Sequence, residues 1–238
     1  MNTSIKPFIL LTLAFAGCKQ ENSIDMVFVE GGTFVMGCTQ HEKECDADEV
    51  KHTVKIKDFF IGKYEVTQEQ YLAVTKRRNP SYFKARKRPI EMVSWEGAQY
   101  FIDKLNEKTG KRYRLPTESE WEYAARGGSK SMSYKYSGSN NISEVAWYND
   151  NSDSTTHLVG KKCPNELGIY DMSGNVYEWC ADEYKDYISP DSCFLLERVY
   201  RGGSWLLDST FCRCSNRGST KLYNKAPFIG FRLAMDVE

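Results

Sequence analysis

The second half of this chain constrains its fold most, because it contains no helical periodicity. From Gly128 onward the apolar residues come in short clusters separated by turn-forming residues, and 129–155 is rich in Ser, Asn, Gly and Tyr. A region of this length without regular elements is stable only if additional contacts fix the loops. The 15 tyrosines and five tryptophans can supply part of that packing. The sequence therefore predicts a loop-rich domain.

The first half, in contrast, carries three helix signals. Residues 67–70 form a capping box, in which the Thr hydroxyl and the Gln side chain satisfy free amides at a helix start. Ser94 begins a second helix with one apolar face, and Gly110 ends it. Residues 117–120 repeat the capping box before a third helix that stops at Gly127.

Alternating apolar and polar residues predict strands in 25–37 and in 54–64. Together with the helices, these strands predict an α+β fold. No internal repeat or shift in composition divides the chain, so we expect one domain over residues 26–238. The 32 basic and 32 acidic side chains balance, and the longest basic stretch is Lys84 to Arg88. Because nucleic-acid binding relies on a surplus of basic residues, we expect no nucleic-acid partner.

Residues 1–17 resemble a secretory signal peptide, with one Lys before an apolar run too short to span a bilayer. Small residues precede Cys18, which is the pattern of a bacterial lipoprotein signal. We therefore expect Cys18 to be lipidated, 18–25 to form a tether, and the protein to be exported and anchored to the cell envelope. The alternative is an ordinary signal peptide with an incidental cysteine.

Seven further cysteines follow Cys18. In an oxidising compartment disulfides are expected, but an odd count leaves one thiol over. Cys38 and Cys45 enclose a polar loop that is either a disulfide staple or a metal-binding loop. The staple is favoured, because the chain has only three histidines and lacks the paired short spacings of a zinc site.

Five motifs occur in an order that resembles the formylglycine-generating enzyme family, also called sulfatase-modifying factors. They are Tyr64-Glu65-Val66-Thr67, residues 114–128, Gly174-Asn175-Val176-Tyr177-Glu178-Trp179, Arg201-Gly202-Gly203-Ser204-Trp205 and Gly230-Phe231-Arg232. The resemblance covers residues 26–236. It implies a C-type-lectin-like α+β fold with few regular elements.

In this family the enzymes oxidise a sulfatase cysteine to formylglycine with a copper ion held by two thiolates. The resemblance places Ser204 and Arg217 at pocket positions and Cys212 at the second copper ligand. Leu207 stands where the first sulfur is expected, so the copper pair is incomplete. A gapped alignment instead gives Cys214 a structural role.

Two readings of these cysteines remain open. Cys212 and Cys214 together are candidates for a copper clamp, in which case Cys212, Ser204 and Arg217 form a catalytic site. Alternatively, Cys212 or Cys214 forms a disulfide with Cys180, which removes any thiolate role.

The resemblance also implies a calcium site. Its four positions match Asp171, Gly174, Val176 and Glu178. Calcium prefers six to eight oxygen ligands, and two carboxylates bracketing a glycine-containing turn supply them together with main-chain carbonyls. A second calcium site of the family lacks one expected ligand, because Val145 replaces an Asn, although 149–153 offers other oxygens.

Three functions compete. The first is a formylglycine-generating oxidase, and the second is a non-catalytic lectin-like lipoprotein that serves as a scaffold or binds a protein or peptide, as in gliding or secretion machinery. The third is a diversified binding protein that varies residues 216–223.

Overall fold

The computed structural model describes residues 24–38, 45–185 and 196–237. Its helices are α1 (Gln68–Thr75), α2 (Trp95–Thr109), α3 (Glu118–Ala125) and α4 (Ile142–Val145). Its strands are β1 (Met26–Val29), β2 (Gly32–Met36), β3 (His52–Ile56), β4 (Phe59–Gly62), β5 (Tyr113–Arg114), β6 (Tyr177–Glu183), β7 (Glu197–Arg201), β8 (Arg217–Lys221), β9 (Ile229–Gly230) and β10 (Ala234–Asp236). Two short 3₁₀ helices cover Gly128–Lys130 and Ser209–Cys212.

The strands form three sheets. The first has the order β1-β4-β10-β5 and the second is the β2–β3 hairpin. The third has the order β8-β7-β6-β9, in which β6 and β9 are parallel. The strand predicted over 54–64 is two strands, β3 and β4, in different sheets. They are separated at Lys57 and Asp58, and the Asp58 carboxylate accepts a hydrogen bond from the Gly31 amide at 2.8 Å.

The three predicted helix starts are confirmed. Thr67 and Gln70 form a reciprocal capping box, and so do Thr117 and Glu120. Ser94 accepts a hydrogen bond from the Gly97 amide at the start of α2. Gly110 ends α2 in the left-handed conformation, with φ of 70°, which glycine adopts without steric cost.

Three apolar clusters make up the core. The main cluster joins α1 and α2 to β6 and β9 through side chains such as Phe101, Trp179 and Phe231. The second cluster surrounds Trp121 on α3. A small third cluster contains Tyr136, Val145, Ala146, Tyr148 and Cys212.

The sheet containing β6, β7 and β8 was not predicted from the sequence. Its strands lie in the region without helical periodicity, and several of their side chains are buried arginines and acids. Arg201 on β7 is completely buried and forms ion pairs with Glu118 and Glu122 of α3. Because buried positions of these strands hold charged residues such as Glu178 and Arg201, the apolar–polar alternation of a half-buried strand is interrupted.

Cys38 and Cys45 form a disulfide, so the staple is confirmed. Their Cα atoms are 5.8 Å apart. Just beyond this loop, Glu49 forms two hydrogen bonds with the Arg213 guanidinium, at 2.6 and 2.8 Å. Asp46 also contacts Arg213, at 3.2 Å. Asp46 and Glu49 therefore link the loop next to the disulfide to the residue that follows Cys212.

None of the helices within the described part of the chain is long and apolar enough to cross a membrane.

Residues 76–91 wrap around a buried carboxylate. Glu91 is completely buried, and its Oε1 accepts a hydrogen bond from the Phe83 amide at 2.9 Å. Burial raises the pKa of Glu91 to about 7, despite hydrogen bonds from the main chain of Phe83 and Tyr82. The Ser81 hydroxyl accepts a hydrogen bond from the Glu91 amide. These contacts fix a surface segment that is otherwise irregular.

Candidate functional site

The segment that resembles the family's copper site follows β7. It starts with Gly202 and Gly203, whose φ angles are 102° and 75°. A Cβ atom on Gly203 would lie 2.6 Å from the Cys212 sulfur, so the close approach of these two residues requires glycine. Asp208 then caps the 3₁₀ helix that ends at Cys212 by accepting from the Thr210 amide at 2.8 Å.

Cys212 is inaccessible to solvent. Its side chain is completely buried in the third cluster, and its sulfur lies 3.9 Å from the Asp208 carbonyl oxygen. Burial raises the pKa of Cys212 to about 12, because a thiolate loses its hydration there. The residue is therefore a thiol at neutral pH.

Leu207 occupies the position of the first expected copper ligand. Its side chain is partly buried and packs against the main cluster. Its main-chain carbonyl accepts a hydrogen bond from the Asn149 amide at 3.0 Å. An aliphatic side chain at this position contributes packing and no metal ligand.

Cys214 and Cys180 lie in the second cluster, away from the cluster that holds Cys212. The predicted disulfide of Cys180 with Cys212 or Cys214 is wrong, because all three residues are thiols. The Cys180 sulfur lies 3.9 Å from the Glu178 carbonyl oxygen, and the Cys214 sulfur lies 3.7 Å from the Ala125 carbonyl oxygen. Within the described ranges, three potential metal ligands lie within 4.8 Å of one another only at Cys38, Cys45 and Glu49. Two of those three are joined in the disulfide.

The other two predicted catalytic residues lie in different surroundings. Ser204 is completely buried beside Cys212, and its Oγ accepts from the Leu206 amide at 3.4 Å. Arg217 on β8 forms two hydrogen bonds with Glu118, both 2.8 Å long. Its guanidinium also lies over the Tyr184 ring, 4.7 Å from the centroid. Arg217 therefore belongs to the ion pairs around α3.

A second buried charged group lies at the start of β6. Glu178 is completely buried, and both its oxygens accept from Arg232, at 2.6 and 2.7 Å. The Trp121 indole nitrogen donates to the same carboxylate at 2.7 Å. Arg232 also donates to the carbonyl oxygens of Gly62 and Tyr170. Charge and hydrogen-bonding capacity are therefore matched for this ion pair.

Two further carboxylates lie in the same group. Glu65 accepts from the Asn175 side chain at 2.7 Å and from the Val176 amide at 3.2 Å. Asp171 accepts from the Gly160 amide at 2.6 Å through Oδ2, while its buried Oδ1 has no hydrogen-bond partner. We call Glu65, Asp171, Glu178 and Arg232 the acidic cluster. It contains three carboxylates and one guanidinium.

Burial and mutual repulsion shift the titration of two of these acids. Burial and the neighbouring carboxylates of Asp171 and Glu178 raise the pKa of Glu65 well above its usual range. Burial raises the pKa of Asp171 to about 6, against the hydrogen bond from Gly160. The cluster thus has more acid than its single guanidinium neutralises.

The acidic cluster contains two of the four expected calcium ligands. Asp171 and Glu178 are brought into one group, with Gly174 and Val176 in the turn between them. The donors are hard oxygens, and the open oxygen of Asp171 fits a calcium ion. Both Glu178 oxygens already accept from Arg232, so Glu178 would have to share its carboxylate. Sequence reasoning missed Glu65, although it lies in the Tyr64–Thr67 motif.

The residues at the position of the family's second calcium site make other contacts. Val145 is buried in the third cluster. Asn151 uses both ends of its amide within a turn, accepting from the Tyr148 amide and donating to the Ala146 carbonyl. These side-chain atoms stabilise the turn themselves.

Similarity to known proteins shows which family the chain belongs to. The family model of the sulfatase-modifying factor enzyme 1-like domain matches residues 13–237. The chain therefore belongs to the formylglycine-generating enzyme, or sulfatase-modifying factor, family. The resemblance in the five motifs and the expected α+β fold are both confirmed.

The chain is similar in sequence or in structure to several individual proteins. The chain is 36% identical to the chaperone protein LppX of Paenibacillus barcinonensis, over 89% of each chain. In structure it is similar to variable protein 1 of Treponema denticola, with a TM-score of 0.80 and 31% identity, over 89% of this chain and 95% of that one. It is also similar to PvdO of Pseudomonas aeruginosa, with a TM-score of 0.76 and 30% identity, over 91% and 96%.

Proposed function

We propose that this protein is a non-catalytic, lipid-anchored member of the family that binds a protein or peptide partner at the cell envelope. The observation that carries the proposal is the pair formed by Leu207 and Cys212. One expected copper ligand is an aliphatic side chain, and the other is a completely buried thiol whose pKa is raised to about 12.

Leu207 and Cys212 do not supply the two thiolates that copper chemistry requires. A soft Cu(I) ion is held by thiolates, and a thiol with so high a pKa releases its proton only at a large free-energy cost. The neighbouring Cys214 packs in a separate cluster. The family reaction therefore has neither a complete ligand pair nor an accessible thiolate here.

The surface beside this segment supports a binding role. Leu206 is 44% exposed and Phe211 is 37% exposed, and both lie within the Ser204–Cys212 segment, whose two end residues are buried. Trp205 beside them in sequence is buried, and its indole nitrogen donates to the Pro227 carbonyl at 3.0 Å. Exposed apolar side chains that together form a contiguous patch mark a surface for a protein or peptide partner. The name of the LppX relative, a chaperone protein, agrees with this role.

We propose calcium binding at the acidic cluster, with Asp171, Glu178 and the carbonyl oxygens of Gly174 and Val176 as ligands. Support comes from the partnerless Oδ1 of buried Asp171 and from the excess of carboxylates over guanidinium. A bound calcium ion would offset this negative charge and fix the turn that leads into β6.

We further propose export and lipidation at Cys18, which lies outside the described residues. The support is the apolar run and the small residues before Cys18. The anchor holds the domain at a membrane surface without a membrane-spanning helix.

The first prediction concerns copper. The purified wild type should not convert a Cys-x-Pro-x-Arg peptide to an aldehyde after copper loading under reducing conditions. Leu207→Cys should raise Cu(I) affinity roughly tenfold or more, the effect of ~1.4 kcal/mol of added interaction. The matched control is Leu206→Cys, which adds a thiol one residue away. Competition with a Cu(I) chelator measures both variants.

Robust aldehyde formation by the wild type would overturn the non-catalytic proposal. Equal copper affinity of Leu207→Cys and Leu206→Cys would show that position 207 does not correspond to the family's first ligand. Both variants are made with the exposed Cys163 replaced by Ser, so that this thiol does not bind copper.

The second prediction concerns the partner surface. The protein should suppress aggregation of a heat-denatured client, and Leu206→Ser with Phe211→Ser should suppress it less, because exposed apolar area is removed. Light scattering measures the effect. A matched control is Leu158→Ser, which removes an exposed Leu from another loop. Equal loss in the control would contradict a specific surface.

The third prediction concerns calcium. At 100 times its Kd, calcium should raise the melting temperature by about 5–10 °C. Asp171→Asn keeps the left-handed backbone angle accessible and removes a ligand charge, so it should abolish the shift. The control Asp103→Asn, which changes an exposed carboxylate on α2, should retain it. An unchanged response in Asp171→Asn would show that the site is misplaced.

This calcium effect should also depend on pH. A raised pKa means that Asp171 takes up its proton near pH 6, and the proton then competes with the ion. Calcium affinity should therefore fall as the pH is lowered from 7 to 5. Isothermal titration calorimetry at both pH values measures it.

The fourth prediction concerns the anchor. Mass spectrometry of the mature chain should find acyl groups on Cys18, and Cys18→Ser should remove them and release the protein from membranes. A Cys18→Ser variant that still carries lipid would contradict the anchor proposal.

A further inference from the structure

The segment of residues 76–88 is strongly basic in a chain whose charges otherwise balance. It holds seven Lys and Arg residues and no Asp or Glu. They are Lys76, Arg77, Arg78, Lys84, Arg86, Lys87 and Arg88. All are exposed except Arg88, which is half-buried. We call residues 76–88 the basic segment.

Little of this charge is neutralised within the described residues. Arg86 pairs with Glu69 at 3.1 Å but remains 79% exposed, so that pair is weak. Arg77 lies over the Tyr100 ring, 3.6 Å from its centroid. Lys84 donates to the carbonyl oxygens of Asn79 and Ser81. These contacts orient the side chains and leave their charge facing solvent.

The fold holds the basic segment rigidly against α1. The amides of Gln68 and Glu69 donate to the carbonyl oxygens of Arg88 and Arg86, at 3.0 and 2.9 Å. The Gln68 side chain donates to the Phe83 carbonyl at 2.7 Å. Tyr82, next to this fixed residue, is 72% exposed. An aromatic ring is therefore presented among the basic side chains.

The N-terminal end of the described domain meets the same turn of α1. Ile24 lines a cavity of about 30 Å³ together with Thr67 and Gln70. Ile24 lies six positions after Cys18, and a fully extended chain of six residues spans at most ~20 Å. A lipid on Cys18 would therefore keep Ile24 within about 20 Å of a bilayer, and the basic segment contacts the same first turn of α1 that Ile24 approaches.

We propose that the basic segment docks on an anionic phospholipid bilayer, with Tyr82 at the level of the headgroups. Basic residues near such a surface are attracted by its negative potential, and tyrosine is favoured at membrane interfaces. An acyl anchor combined with a polybasic surface holds a protein more firmly than a single chain alone. The inference rests on the lipid anchor proposed above.

The test uses the full chain purified from bacterial membranes and reconstituted on vesicles. An amine-reactive reagent is applied on phosphatidylcholine vesicles and on phosphatidylcholine–phosphatidylglycerol vesicles, and mass spectrometry measures modification of each lysine. Lys76, Lys84 and Lys87 should react about fivefold or more slowly on the anionic vesicles, as expected for basic side chains held at a charged surface. Exposed Lys51, Lys55 and Lys57 serve as internal controls and should react equally on both.

High salt should restore the reactivity of the basic segment, because it screens the attraction. Replacing Arg78, Arg86 and Lys87 with Gln should remove the protection of Lys76 and Lys84. The matched control replaces Lys51, Lys55 and Lys57 with Gln, which changes the net charge equally and should leave the protection intact. Equal modification of Lys76, Lys84 and Lys87 on both kinds of vesicle would overturn the proposal.

The same spectra report the mass of the peptide that contains Cys18, so failure of the anchor is seen separately. An unlipidated chain whose basic segment is still protected on anionic vesicles supports the docking surface while refuting the anchor. A lipidated chain without protection refutes the docking surface alone.

Discussion

The buried ion pair of Glu178 and Arg232 is the interaction on which the rest of the structure depends. Arg232 joins β6 to the carbonyl oxygen of Gly62 at the end of β4 and to that of Tyr170, and the Glu178 carboxylate also binds Trp121 of α3. One pair thus fixes two sheets, a helix and a loop. Breaking such a pair by removing one partner costs roughly 3–5 kcal/mol, because the other charge remains buried.

The helices were predictable from sequence because their signals are local. The capping boxes at Thr67 and Thr117 each depend on residues three positions apart. The buried ion pairs were not predictable in this way, since Glu49 and Arg213 are 164 positions apart and Glu122 and Arg201 are 79 apart. A single sequence does not indicate which acid meets which arginine, so the sheet containing β6, β7 and β8 was missed.

In the candidate site too, features that depend on local spacing were predictable and features that depend on distant segments were not. Leu207 was recognisable as a departure from the copper pair by counting from Ser204, because the spacing is local. Glu65 was not recognised, because it approaches Asp171 only through the folding of distant segments. The burial of Cys212 was likewise invisible in sequence, since it depends on Tyr136, Val145 and Tyr148 packing around it. An aliphatic residue at position 207 is compatible with the fold, because the Leu207 side chain packs against the main cluster.

The placement of β10 has a kinetic consequence. This strand lies between β4 and β5, and the adjacent Arg232 bonds to a carbonyl oxygen 170 positions away. Contacts between such distant residues form slowly, because a long loop must close before any of them is made. The first sheet is therefore incomplete until β10 has been synthesised and has inserted between its neighbours. A chain with this topology remains unfolded for longer after synthesis, and an unfolded chain is the form that can be threaded through a narrow translocation channel.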